Sequence, residues 1–268
     1  MNFLYTINLW IHVVFACLAL TLFWVPIFTK KGQLNHKRFG HWYKIAMYTV
    51  AASGVVMASM IFNREFGLGA EFSASEQTAA ILSNVQQFAL FLIYLALLMF
   101  TTTRHGIAVL IAKEKRNKLR VVNYLIPVLC LLVFGVALFI FGLFSANTLH
   151  IVFGVLGGVL SVGMLRYCYR ETVARNTWLL EHIGSMIGSG IAAYTAFLTF
   201  GGRTLFSDLG QWQLVLWIAP GVIGGFASFM VCKHYARLFY IGAPSSARAN
   251  ASANARRNAS THAGTNAN

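Results

Sequence analysis

Charge is scarce in this chain. Only 10% of its 268 residues are Asp, Glu, Lys or Arg, against roughly a quarter in a soluble globular domain. Acid is scarcer still, with seven Asp and Glu against 21 Lys and Arg. With 57% hydrophobic residues in addition, an ordinary soluble domain is excluded. The four cysteines (Cys17, Cys130, Cys168, Cys232) are scattered without a C-x-x-C spacing, which argues against a cysteine-built metal site. No H-E-x-x-H is present, so an intramembrane zinc protease is not indicated. There is no G-x-S-x-G elbow and no phosphate-cradling glycine loop. No inverted repeat of the transporter type is visible.

What the chain does have is apolar length. Seven stretches of spanning length divide residues 1–240, at about Phe3–Phe28, His41–Phe62, Ala80–Thr101, Val121–Phe144, Thr148–Arg166, Trp178–Phe200 and Trp212–Cys232. Each supplies the roughly 20 residues needed to cross about 30 Å of hydrocarbon. Val14–Cys17 faintly resembles a lipoprotein cleavage site, but no base precedes it and the apolar run continues, so an uncleaved first span is expected. The last span holds no lysine, which excludes a retinal Schiff base despite the span number. Most of the six tryptophans fall near span ends, where their amphipathic rings anchor.

The bases sort between the connecting segments. Nineteen of the 21 fall in one alternate set, leaving Arg64 and Arg203 in the other, which also holds Glu65, Glu71, Glu76 and Asp208. Lys and Arg resist translocation, so the rich side is expected to be cytoplasmic and the N-terminus outside. The expected fold class is an all-α integral membrane protein, a bundle of seven transmembrane helices with its C-terminus in the cytoplasm. The +14 formal charge then has anionic lipid headgroups as its counterions. Nucleic acid is not expected, because the basic loops lack interleaved aromatics. The segment Arg104–Arg120 alternates apolar residues with bases and reads as an amphipathic extension of span three at the inner surface. Residues 1–242 form the membrane domain. Residues 243–268, rich in Ala, Asn and Ser and without large apolar side chains, are expected to be a disordered cytoplasmic tail.

Ionisable groups inside hydrocarbon are costly, so each is a functional candidate. Glu181 and His182 sit about one turn into span six, and His12 lies well inside span one. His36, His41, His105 and His234 cluster with His182 at the cytoplasmic interface, and His150 opens span five at the other face. Histidines at equal depth on different helices suggest b-type haem, with His182 facing His41 or His105, and His12 with His150 as an outer pair. The outer pair fits depth poorly, since His12 lies about 13 Å below the edge at 1.5 Å per residue. Interfacial histidines that merely snorkel with neighbouring bases are the alternative, as is a metal or proton-handling site. Glu181 and His182 point about 100° apart on a helix, so each needs its own partner. Glu181 reads either as the counterion of Lys44 or Arg175, or as a proton relay that orients an imidazole.

Gly154 and Gly158, Gly184 and Gly188, and Gly221 and Gly225 repeat one four-residue spacing. Such spacing serves close helix packing, or a flat groove for a planar cofactor or lipid tail.

The run Lys31-Gly32-Gln33-Leu34-Asn35-His36-Lys37-Arg38-Phe39-Gly40-His41-Trp42-Tyr43, with Met47, resembles the signature of a family of bacterial multi-span membrane proteins, domain of unknown function number two thousand three hundred and six. His182, Met186 and Ile191-Ala192-Ala193 with Thr195-Ala196-Phe197 resemble its later-span pattern. The double base after His36 departs from the family's single Arg. The resemblance implies a multi-pass protein of the bacterial inner membrane and gives weight to His36 and His182. It implies no reaction. Two function classes stay open: a haem-binding redox protein using the interfacial histidines, and a non-enzymatic small-solute or proton transporter or sensor with Glu181 as its acid.

Overall fold

The computed structural model describes residues 3–68, 76–201 and 213–239, of which 63–68, 76–83 and 213 are backbone only. The expected outer acids Glu65, Glu71, Glu76 and Asp208, the bases Arg64 and Arg203, and the tail 243–268 therefore lie outside the described side chains. Among the described residues every regular element is helical. The helices are α1 (Phe3–Phe28), α2 (Leu34–Leu68), α3 (Glu76–Ala112), α4 (Val122–Phe144), α5 (Thr148–Tyr169), α6 (Thr177–Ala196) and α7 (Gln213–Leu238). All seven contain a segment long and apolar enough to cross a membrane.

Helix α3 is the centre of the arrangement, packing against α2, α4, α5 and α6, while α6 carries α7 on its far side and also touches α1. Three buried clusters follow from this. One joins α3, α4 and α5 near the base-rich end around Val109, Tyr124, Val128 and Cys168. A second joins α1, α2, α3 and α6 around Tyr43 and Met47. The third gathers Phe91, Tyr94, Leu131, Phe153 and Trp217 toward the opposite end.

The α4–α5 hairpin is closely packed. Ala146 takes a left-handed φ of 50° in the short connection, and Asn147 Oδ1 accepts the backbone N–H groups of Leu149 (3.1 Å) and His150 (3.3 Å) as an N-cap. Gly154 has no room for a side chain, since a Cβ there would lie 2.6 Å from Phe139 N and 2.8 Å from Gly135 O. Two hydroxyls tie helices where no apolar contact could fix a register. Tyr94 donates to Phe153 O at 2.8 Å, joining α3 to α5. Tyr43 and Ser189 meet at 2.9 Å, joining α2 to α6.

The base-rich end corrects one expectation. Helix α3 runs straight on to Ala112, and the chain then turns through Lys113 at φ 50° into a short 3-10 turn, Arg116–Leu119. The expected helical extension of span three is therefore present as far as Ala112 but does not reach Arg120. Arg116 donates to the carbonyls of Tyr167 (3.0 Å) and Glu171 (3.1 Å), and Arg120 Nε donates to Cys168 O at 3.1 Å. These guanidiniums satisfy the orphan carbonyls at the end of α5, where a positive charge is also favoured by the helix dipole. Lys31 does the same for α1, donating to Pro26 O at 2.9 Å and to Ile27 O.

Candidate functional site

The site is built where α3 and α6 cross near the base-rich end. The start of α6 is held by Asn176, at a left-handed φ of 63°, whose N–H donates to Glu114 Oε1 at 2.8 Å. That contact fixes α6 against the loop after α3. One turn further on, Glu181 and His182 meet two consecutive residues of α3. Glu181 Oε2 lies 3.3 Å from His105 Nε2, and His182 Nδ1–H donates to Gly106 O at 2.8 Å. Gly106 leaves space for this crossing, since a Cβ there would sit 2.9 Å from Met186 Sδ and 3.2 Å from Ser185 Cβ.

His105 is 1% exposed, and both ring nitrogens have partners. With Glu181 ionised, Nε2–H donates to the carboxylate and Nδ1 accepts the Tyr124 hydroxyl proton at 2.6 Å. The Tyr124 oxygen in turn accepts from Cys168 Sγ–H at 3.7 Å. A directed chain thus runs Cys168, Tyr124, His105, Glu181, through α5, α4, α3 and α6. Tyr167 packs edge-on against the imidazole, with centroids 6.1 Å apart.

Glu181 and His105 also line a cavity of about 1480 Å³ bordered by α1, α2, α3, α5, α6 and α7. His12 lines it further toward the other end, where His12 Nδ1 and Ser53 Oγ lie 2.9 Å apart. The wall between is apolar, with Met47, Met99, Phe153 and Trp217 among its residues. The glycine pairs divide between the two roles considered for them. Gly154 packs backbone to backbone, whereas Gly184, Gly188, Gly221 and Gly225 line the cavity. A Cβ at Gly221 or Gly225 would meet nothing within 4 Å. The closely packed glycines of α6 and α7 are instead Gly190, against Phe23, and Gly224, against Ile191.

The other histidines are placed as follows. His36 Nδ1–H donates to Pro26 O at 3.1 Å. His41 is exposed and stands edge-on to Trp42. His150 is 5% exposed between the rings of Phe91 and Phe141, with no partner for Nδ1 among the described residues. His234 is edge-on to Tyr235. Among the described residues no three His, Cys, Asp or Glu side chains converge as a metal-holding group. Glu181 meets His105 rather than Lys44 or Arg175. Tyr124 and Cys168 were not indicated by the sequence; a lone tyrosine one turn into an apolar span was the one available signal.

Comparison with protein-family models, with curated proteins and with solved structures finds no match.

Proposed function

We propose that the protein is a multi-pass protein of a bacterial inner membrane that moves protons to and from its central cavity, with Glu181 as the working acid. What supports membrane insertion is the exposed apolar coat: Val133, Phe134, Phe226 and Phe229 stand on outer helix faces, a surface that water would not tolerate at this extent. What supports a cytoplasmic base-rich end and an outer N-terminus is the sorting of 19 of 21 bases, for which anionic headgroups are the counterions. The resemblance around His36 and His182 agrees with such a protein.

The observation that carries the proton reading is that the Glu181 carboxylate faces the cavity on one side and a fully buried imidazole on the other. A purely structural pair would need no cavity. The same contacts serve two protonation states. A proton entering at the Tyr124 oxygen passes the phenolic proton to His105 Nδ1, and the Nε2 proton passes to Glu181. One proton enters and one is delivered. Afterwards Nδ1–H donates to Tyr124 and the Glu181 acid donates to Nε2. Every group keeps a partner, so the shift leaves no buried polar atom unsatisfied.

The test is proton flux into liposomes holding the purified protein, read with an entrapped pH dye under an imposed potential. Flux that falls to the protein-free level in Glu181→Gln, with monodisperse folded protein, is the expected result. Equal flux in both proteins overturns the reading.

A redox reading has its own observation. His36 and His182 each donate Nδ1–H to a backbone carbonyl, at 3.1 and 2.8 Å, which leaves Nε2 as the free lone pair, the orientation a metal-bound histidine uses. When bound, haem b would supply one-electron chemistry, with these two residues as its ligands; His105, with both nitrogens engaged, fits that role less well. A dithionite-reducible Soret band that vanishes in His182→Ala supports it, and colourless protein from haem-replete cells removes it.

A further inference from the structure

The charge on the described wall of the cavity is opposite in sense to the protein's. The chain carries 21 bases and seven acids, yet among the described residues no Lys or Arg lines the cavity while Glu181 does. An anionic guest would find no countercharge there. A neutral lipid would leave the carboxylate unused.

The cavity is also large, about 1480 Å³, above the roughly 300–1,000 Å³ of drug-sized pockets. Its wall combines Phe153 and Trp217 with Met47, Met57 and Met99. Aromatic faces attract cations, and thioethers adapt to guests of different shape. Gly221 and Gly225 leave the α7 side open, with nothing within 4 Å of an added Cβ. Glu181 is only one helical turn from the start of α6, so the body of a guest bound there extends along the apolar remainder toward His12.

We infer that the cavity binds lipophilic monocations, organic amines or onium ions with a bulky apolar body, in exchange for a proton on Glu181. This deepens the proton-handling reading and rests on it. An ionised carboxylate is costly in an apolar surround unless it is neutralised. The proton reaches Glu181 through His105, and the cation reaches it from the cavity. Either neutralises the carboxylate, and both together would leave an unpaired positive charge. Where Glu181 carries the relayed proton, binding of one cation therefore displaces it. The other titratable groups near Glu181 are His105 on α3, Tyr124 on α4, Tyr167 and Cys168 on α5, and Cys232 on α7, and His12 on α1 lines the same cavity toward its other end. None of them adds a cation while His105 and His12 stay neutral, so affinity falls on acidification as protons compete.

Tetraphenylphosphonium and its anionic counterpart of equal shape, tetraphenylborate, are the probes, titrated into full-length purified protein in detergent. The expected result is saturable one-to-one binding of the cation only, with release of up to one proton in weak buffer and a loss of about tenfold or more in Glu181→Gln, equivalent to about 1.4 kcal/mol. Gly225→Leu, which places a side chain on the open α7 side of the cavity, is expected to abolish cation binding. Equal binding of both probes, or cation binding unchanged in Glu181→Gln, overturns the inference. No cation binding alongside Glu181-dependent flux overturns it while the relay stands; cation binding with proton release but without flux sinks the relay alone.

Discussion

Glu181 and His105 are joined at 3.3 Å across the α3–α6 crossing, and their chain neighbours His182 and Gly106 are joined beside them at 2.8 Å. Two consecutive residues of one helix thus clasp two consecutive residues of another. The carboxylate and imidazole set the chemistry, and the second bond sets the register that brings them together. Removing the His182 bond is therefore expected to act on the first pair. His182→Ala should lower proton flux while preserving the fold; His182→Asn, which keeps a donor, should restore part of it. Liposome flux measured beside size-exclusion profiles checks this, and full flux in His182→Ala would show that the register is held elsewhere.

Tyr124→Phe removes the donor to His105 Nδ1 and the acceptor for Cys168. Leaving a buried acceptor unpaired costs about 1–3 kcal/mol. A lowered melting temperature in detergent is expected, together with slowed flux. Loss of stability with unaltered flux would take Tyr124 out of the relay and leave it a structural hydroxyl.

Gly154 and Gly158 give an internal comparison. They look alike in sequence, yet a Cβ at Gly154 meets Phe139 and Gly135 backbone, and one at Gly158 meets nothing within 4 Å. Gly154→Ala should destabilise by about 1–3 kcal/mol, as overpacking does, and Gly158→Ala should be close to neutral. Thermal melts of the two variants decide it; equal melting temperatures would contradict the α4–α5 packing.

Much of the architecture was legible because a span needs apolar length. Helix α1 has the bounds expected of it, Phe3–Phe28. The start of α2 was not. Hydropathy stops where bases appear, whereas a helix continues as long as its backbone bonds do, so α2 begins at Leu34 before His36, Lys37 and Arg38. The continuation of α3 past Arg104 was expected from its alternation of apolar residues and bases, but not its end at Ala112. The partner of Glu181 was hidden because α4 and α5 separate α3 from α6 in the chain, and no loop length dictates their contact. The glycine spacing was readable but not its meaning. Gly154 and Gly221 occupy equivalent pattern positions and differ only in whether another helix stands opposite.

Orientation is open to a direct measurement. The sorting of bases predicts that alkaline phosphatase fused after Leu238 is inactive, because that enzyme needs the periplasm, while a fluorescent protein fused there is bright. The opposite pattern would place the base-rich end outside and reverse the direction in which Tyr124 delivers protons.

The bond between Glu181 and His105 can be separated from its surroundings by a double-mutant cycle with Glu181→Gln, His105→Gln and both together. Residues in contact show interaction energies of about 0.5–3 kcal/mol, whereas independent sites add. If the pair acts as one unit, either single variant should abolish flux and the double should lose nothing further. Stability should show the same non-additivity, because each single variant replaces the charge-assisted contact between the His105 ring, 1% exposed, and the carboxylate, 34% exposed, by a neutral amide contact. Additive losses in both stability and flux would mean that the two side chains act apart and that their contact carries no proton.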